Sequence, residues 1–154
     1  MDCFGGYHPL CKDLKMNKPK VVVLRTSPIT VLDDYQKVMH LADYEHFISK
    51  ENDSLIKLNL SWTKYFPSCS SQPWQVEGVV RTLVQDGYKK EKLFPVENKT
   101  VVTNPIKGTR NNKWAPILEK NGLDFVSLPE VEWQTYKFKN LRICGNFVSH
   151  FQNQ

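Results

Sequence analysis

Leu55-Ile56-Lys57-Leu58-Asn59-Leu60 alternates between apolar and polar residues from Ile56 onward and is followed by a polar loop and an amphipathic helix. The alternation puts Ile56, Leu58 and Leu60 on one side of a strand and Lys57 and Asn59 on the other. After the loop 61–72, Pro73 opens a helix, with Ser71 or Gln72 as its cap. Val76, Val79, Val80, Leu83 and Val84 recur at helical spacing. Glu77, Arg81, Gln85 and Asp86 fill the opposite face, and Gly87 is a natural residue just past the end.

Upstream, Val21-Val22-Val23-Leu24 reads as a strand buried on both faces. Ser27 then caps a helix with Pro28 at its first position. That helix carries Leu32, Tyr35, Val38, Met39 and Ala42 inward and Asp33, Asp34, Gln36 and Lys37 outward. A short helical turn follows at 44–48. Downstream, the run 92–97 is a third strand, weakened by Pro95, and 100–103 extends it or stands alone. Asn104-Pro105-Ile106-Lys107-Gly108-Thr109 reads as loop. A helix from Asn111 or Asn112 holds Trp114, Ile117 and Leu118 and stops at Asn121-Gly122. Residues 124–128 form the fourth strand, and 132–138 a further one. Strands alternating with helices predict an α/β fold: a three-layer sandwich with a mostly parallel sheet of four or five strands. Residues 1–19 form an irregular arm, 20–140 the domain and 141–154 a tail.

In open parallel sheets ligands sit outside the carboxyl ends of the strands. That rule places Arg25, Thr26, Asn59, Ser61, Asn98 and Thr100 along one rim. Lys57 offers a compact charge and Asn59 a directional amide. With Ser61, Ser70 and Ser71 they form the candidate site for a small anionic ligand. Ser70 and Ser71 also precede a helix start, where free amides favour anions. The glycines of a phosphate-cradling loop are absent. Trp62, Tyr65, Phe66 and Trp74 crowd the same loop and its exit, as pocket walls or as cover for a second domain or subunit.

A chain of 154 residues with 40% hydrophobic and 24% charged residues builds one ordinary core. The net charge of +5 favours an anionic partner. The lysines at 12, 15, 18, 20, 89, 90, 92, 137 and 139 are scattered, which reads as a solvated surface rather than a nucleic-acid face. The alternative is a protein- or nucleic-acid-interaction module built on basic and aromatic surface. No apolar run reaches the ~20 residues of a membrane span. The first residues lack an export signal, so the expected location is cytoplasmic, the four cysteines are reduced thiols, and the glycan-acceptor matches at Asn59 and Asn98 are accidental. Cys3, His8, Cys11 and Cys69 have ligand types that suit zinc, but no Cys-x-x-Cys pair supports a site, and plain thiols are preferred. Cys69 lies beside the helix start, with no histidine tied to it by a motif, so no catalytic role is assigned. No cofactor is indicated.

The run from Leu55 to Leu60 resembles the "Lys-Pro-Asn" strand of the domain of unknown function family numbered 362. Ser70-Ser71-Gln72-Pro73 and the helix from Val76 to Gly87 resemble the turn and helix that follow it there. The strand at Val21–Arg25 and the segment 122–128 fit the same order. The resemblance covers about residues 20–138. The family's proline is replaced by Leu58, and longer relatives continue with more α/β structure and sometimes an iron–sulfur module. The resemblance therefore implies the N-terminal portion of a cytoplasmic bacterial or archaeal domain, without supplying a reaction.

Overall fold

The computed structural model describes residues 20–133. Its elements, in chain order, are α1 (Val31–Leu41), α2 (Tyr44–Phe47), β1 (Ser54–Lys57), α3 (Pro73–Gln85), β2 (Leu93–Glu97), α4 (Pro105–Asn111), α5 (Ala115–Asn121) and β3 (Val126–Ser127). The strands form one sheet in the order β1-β2-β3, and both pairings are parallel. The protein is mixed α/β with a small parallel sheet.

The alternation in β1 has the expected effect. Leu58 and Leu60 are buried, Ile56 is half-buried, and Lys57 and Asn59 are exposed. The ladder pairs Ile56 with Pro95 and Lys57 with Val96. Leu58 N–H extends it by donating to the Val96 carbonyl at 3.0 Å. Pro95 is tolerated in the central strand for a geometric reason. Val96 turns its polar groups toward β1, so Pro95 faces the other side, where β3 begins only at Val126. Its missing N–H therefore breaks no ladder bond.

α3 is built as its sequence dictates. Pro73 is its first residue, and Gln75 Oε1 accepts the Gln72 N–H at 2.8 Å. Gly87 takes φ 86° just past the last turn, a conformation glycine adopts without steric cost. Val76, Val80 and Leu83 meet Leu58, Leu60 and Leu93 from the sheet and Trp114, Leu118 and Leu123 from the α5 region. Sequential strand order with right-handed crossovers puts α3 and α4–α5 on the same face of the sheet. α1 packs on α3 rather than on the sheet. The contact is close at Gly78, where an added Cβ would lie 2.5 Å from Tyr35 Cγ and 2.7 Å from Tyr35 Cβ. Gly78→Ala is expected to destabilise the fold by about 1–3 kcal/mol, because overpacking outweighs the better helix propensity of alanine. Tyr35→Ala recovers only part of this, since its Cβ remains in the way. Chemical denaturation of the single and double variants measures both effects.

The structure corrects several expectations. Among the described residues the sheet has three strands, where four or five were expected. Val21–Leu24 is not a strand: it pairs with nothing in the sheet, and Val21 and Val23 are 84% and 89% exposed. β-branched residues favour extended backbone, but only a ladder partner makes a strand. The segment 104–109 is not loop. Asn104 Oδ1 caps Lys107 N–H at 2.8 Å and Pro105 takes the first position of α4, so a turn-like dipeptide starts a helix. Residues 100–103 form no strand, with a bend at 101–102. α1 starts at Val31, not beside Ser27. Asp34 is buried rather than on the outer face, where it accepts from Thr30 Oγ1 (2.6 Å) and Thr26 Oγ1 (2.9 Å). Those two hydroxyls, then Lys37, outweigh the opposing effect of burial and lower its pKa. Thr26 therefore belongs to the start of α1, and Arg25 follows no strand, so neither stands on a strand rim. The arm 1–19, the tail 141–154 and most of the strand expected at 132–138 lie outside the described residues.

Candidate functional site

Asn59, Ser61, Ser70 and Ser71 meet beyond the carboxyl end of β1, where they form the neck of a closed loop, and Lys57, the last residue of β1, stands beside it. Asn59 N–H donates to Ser71 Oγ (3.0 Å) and Ser71 N–H returns a bond to the Asn59 carbonyl (2.9 Å). Asn59 Nδ2 and Ser61 Oγ both donate to the Cys69 carbonyl, at 3.1 and 2.5 Å, and Ser61 N–H donates to Ser70 Oγ at 3.2 Å. These groups satisfy one another, which accounts for the backbone polar groups of a loop that has no ladder.

Two further residues clamp this neck to the core. Glu97, at the carboxyl end of β2, is 5% exposed. Its Oε2 accepts Leu60 N–H at 2.7 Å, and its Oε1 accepts Asn98 N–H at 2.8 Å and the Lys57 ammonium at 2.7 Å. Lys57 Nζ also donates to the Leu58 carbonyl at 2.7 Å. Trp114 is fully buried and its Nε1–H donates to the Ser71 carbonyl at 2.8 Å. Gly108 of α4 lies against Leu60, and an added Cβ there would stand 2.5 Å from Leu60 Cδ2.

The head of the loop lines a cavity of about 620 Å³, whose walls are Trp62, Thr63, Lys64, Phe66, Cys69 and Val102. Its volume falls within the range of small-molecule sites. Trp62 and Phe66 meet edge to face, with ring centroids 6.2 Å apart. Thr63 joins the loop after β1 to the loop after β2: its Oγ1 donates to the Val102 carbonyl (3.3 Å) and accepts Asn104 N–H (2.8 Å). Asn111 Nδ2 donates to the Thr63 carbonyl at 2.9 Å and so brings the end of α4 beside the cavity. Tyr65 stands outside the cavity, with its hydroxyl on Gln72 Oε1 and the Lys113 ammonium 5.5 Å from its ring centroid. Trp74 turns away to meet Tyr35. Of the residues the sequence offers for a site, Trp62 and Phe66 line the cavity, whereas Asn59, Ser61, Ser70 and Ser71 close the loop on one another. Sequence reading missed Thr63, Lys64 and Val102, because no periodicity marks which loop residues face inward.

Cys69 is an exposed thiol. No group of three metal-ligating side chains occurs among the described residues. Cys3, His8 and Cys11 lie outside them.

A second polar cluster sits at the opposite end of α3. His40 Nε2 and Tyr44 Oη share Asp86 Oδ2, at 2.6 and 2.5 Å. A carboxylate only accepts, so His40 carries its proton on Nε2. Burial and then Asp86 push the Tyr44 phenol far up, so it stays protonated. Burial pushes Asp86 up as well, but the bonds from Tyr44 and His40 outweigh it and lower its pKa. Tyr44 stacks on Tyr88, whose hydroxyl donates to the Ile48 carbonyl at 2.6 Å. The cluster ties α1 and α2 to the end of α3. It lies at the end of the fold away from the carboxyl ends of the strands.

Comparison of the chain with family models, with curated proteins and with solved structures finds no significant match in any of the three. Among the described residues, no helix is long and apolar enough to cross a membrane.

Proposed function

We propose that the protein binds a small anionic ligand with a flat apolar body at the carboxyl rim of its sheet. The observation that carries this reading is the cavity of about 620 Å³ walled by Trp62, Phe66 and Val102, with Lys64 in its lining. It lies where open parallel sheets hold ligands. Trp62 and Phe66 present ring surface to the flat part. Lys64 supplies positive charge, and Lys57, beside the neck, adds to the field. Asn59, Ser61, Ser70 and Ser71 shape the loop. Nothing in the arrangement calls for a bond-making step, so the reading is of a binding domain.

Phenyl phosphate and uridine monophosphate serve as probes, followed by calorimetry and by quenching of tryptophan emission. Trp62→Ala is expected to weaken both at least tenfold, since an aromatic partner contributes about 1–3 kcal/mol to a stacked ring. Its melting temperature should stay near that of the parent, because Trp62 is 49% exposed. Unchanged affinity in Trp62→Ala would remove the cavity from consideration.

A further inference from the structure

The acids of this protein are divided unevenly. Lys37, Lys50, Arg81 and Lys120 away from the rim, and Lys57 at the end of β1, each lie within salt-bridge distance of one. The two stretches that build the cavity have none. Neither 58–76 nor 98–118 contains a single Asp or Glu, yet the two stretches carry Lys64, Lys99, Lys107, Arg110 and Lys113. None of these five makes an ion pair among the described residues. Sequence spacing hides the grouping, because 33 positions separate the last residue of the Thr63–Lys64–Phe66 wall from Lys99.

The fold brings them to one side. Lys64 lines the cavity. Lys113 lies over Tyr65. Asn111 is bonded to Thr63, and Lys107 lies one turn before it on the same face of α4. Arg110 neighbours both, and Lys99 opens the loop that delivers Val102. Trp62, Tyr65 and Phe66 stand exposed among these charges. Unpaired cations interleaved with exposed rings suit a partner that repeats phosphate and flat base along its length. Phosphates meet the lysines and bases meet the rings, which is how single strands are held without sequence readout. A duplex keeps its bases stacked inward and leaves the rings without partners.

Resting on the cavity reading above, we propose that the ligand is part of a polymer: the rim is a docking surface for single-stranded nucleic acid, with one base seated in the cavity against the exposed face of Trp62.

The test is fluorescence anisotropy with a labelled twelve-nucleotide single strand, competed by uridine monophosphate and by a duplex of the same length, between 50 and 200 mM salt. The strand is expected to bind at least tenfold more tightly than the mononucleotide and than the duplex. With three or four phosphates engaged, the logarithmic salt slope should be about −2 to −3. Lys64→Glu with Lys107→Glu should weaken the strand at least tenfold, while Lys20→Glu with Lys89→Glu, the same charge change elsewhere, should not. If the strand binds no better than uridine monophosphate, the polymer falls and the cavity stands. If neither binds, both readings fall. A flat salt dependence, duplex binding as tight as strand binding, or equal loss in both double variants also overturns the proposal. The salt series on the unaltered protein needs no variant to fold.

Discussion

Replacing Trp114 with alanine should destabilise the protein by about 3–5 kcal/mol, the range for removing a fully buried large aromatic. Set against a total of about 5–15 kcal/mol for a domain, the variant lies near the edge of folding. The residue is 0% exposed and sits among Leu118, Leu123 and the inner face of α3. Its loss opens a cavity that backbone on several sides cannot fill. The second effect is polar. Trp114 Nε1–H is the donor to the Ser71 carbonyl at 2.8 Å, on the neck of the rim loop. Trp114→Phe separates the two: it keeps most of the ring volume and deletes the donor. Its expected cost is about 1–3 kcal/mol, from an unsatisfied carbonyl and a smaller gap. The more telling readout is binding. Trp114→Phe should remain folded at 25 °C and yet weaken probe binding in the cavity, because the neck that aims Trp62 and Phe66 has lost a tether. Urea denaturation with calorimetry on the same samples gives both numbers. A Trp114→Phe variant that loses stability but binds normally would show that the neck does not position the head.

The parts of this fold that were legible in the sequence are those whose determinants are local. α3 carries its proline, its cap and its terminal glycine within its own length, and β1 carries its alternation. Val21–Leu24 has the composition of a strand, but pairing is decided by a neighbour in space, which composition does not contain. Asn104-Pro105 is ambiguous in sequence because the same two residues make a turn and a helix start. The candidate site divides the same way. The expected ligand-binding residues Asn59, Ser61, Ser70 and Ser71 bond to one another and to the Cys69 carbonyl as the frame of the loop, while Lys57 pairs with Glu97 beside them. The cavity depends on where the loop head folds back, and on Val102 arriving from the next crossover. That information is tertiary. The gathering of Lys64 with Lys99, Lys107, Arg110 and Lys113 is of the same kind.

Glu97 and Lys57 should respond very unequally to removal, although each is the other's partner at 2.7 Å. The glutamate side chain is 6% exposed and the lysine side chain 59%. Glu97→Ala leaves two backbone N–H groups, on Leu60 and Asn98, without their acceptor, and leaves the Lys57 ammonium facing the Leu58 carbonyl alone. Hydrogen bonds to a charged acceptor contribute about 1.5–3 kcal/mol each, and an orphaned buried donor costs its full desolvation, so a loss of about 3–4 kcal/mol is expected. Lys57→Ala removes one ligand of the carboxylate and keeps the two backbone donors. An ion pair with one partner in water contributes about 1 kcal/mol or less, and the loss should match. Glu97→Gln falls between: the amide oxygen can serve one side of the clamp, while its NH₂ meets a donor on the other. In denaturant titrations Glu97→Ala should be the least stable of the three variants, Glu97→Gln intermediate and Lys57→Ala the most stable. Equal losses in Glu97→Ala and Lys57→Ala would mean that the charge pair holds the rim. The expected order means that the backbone bonds of Glu97 do, and that Lys57 is left with donor capacity and exposure to meet an anion beside the loop.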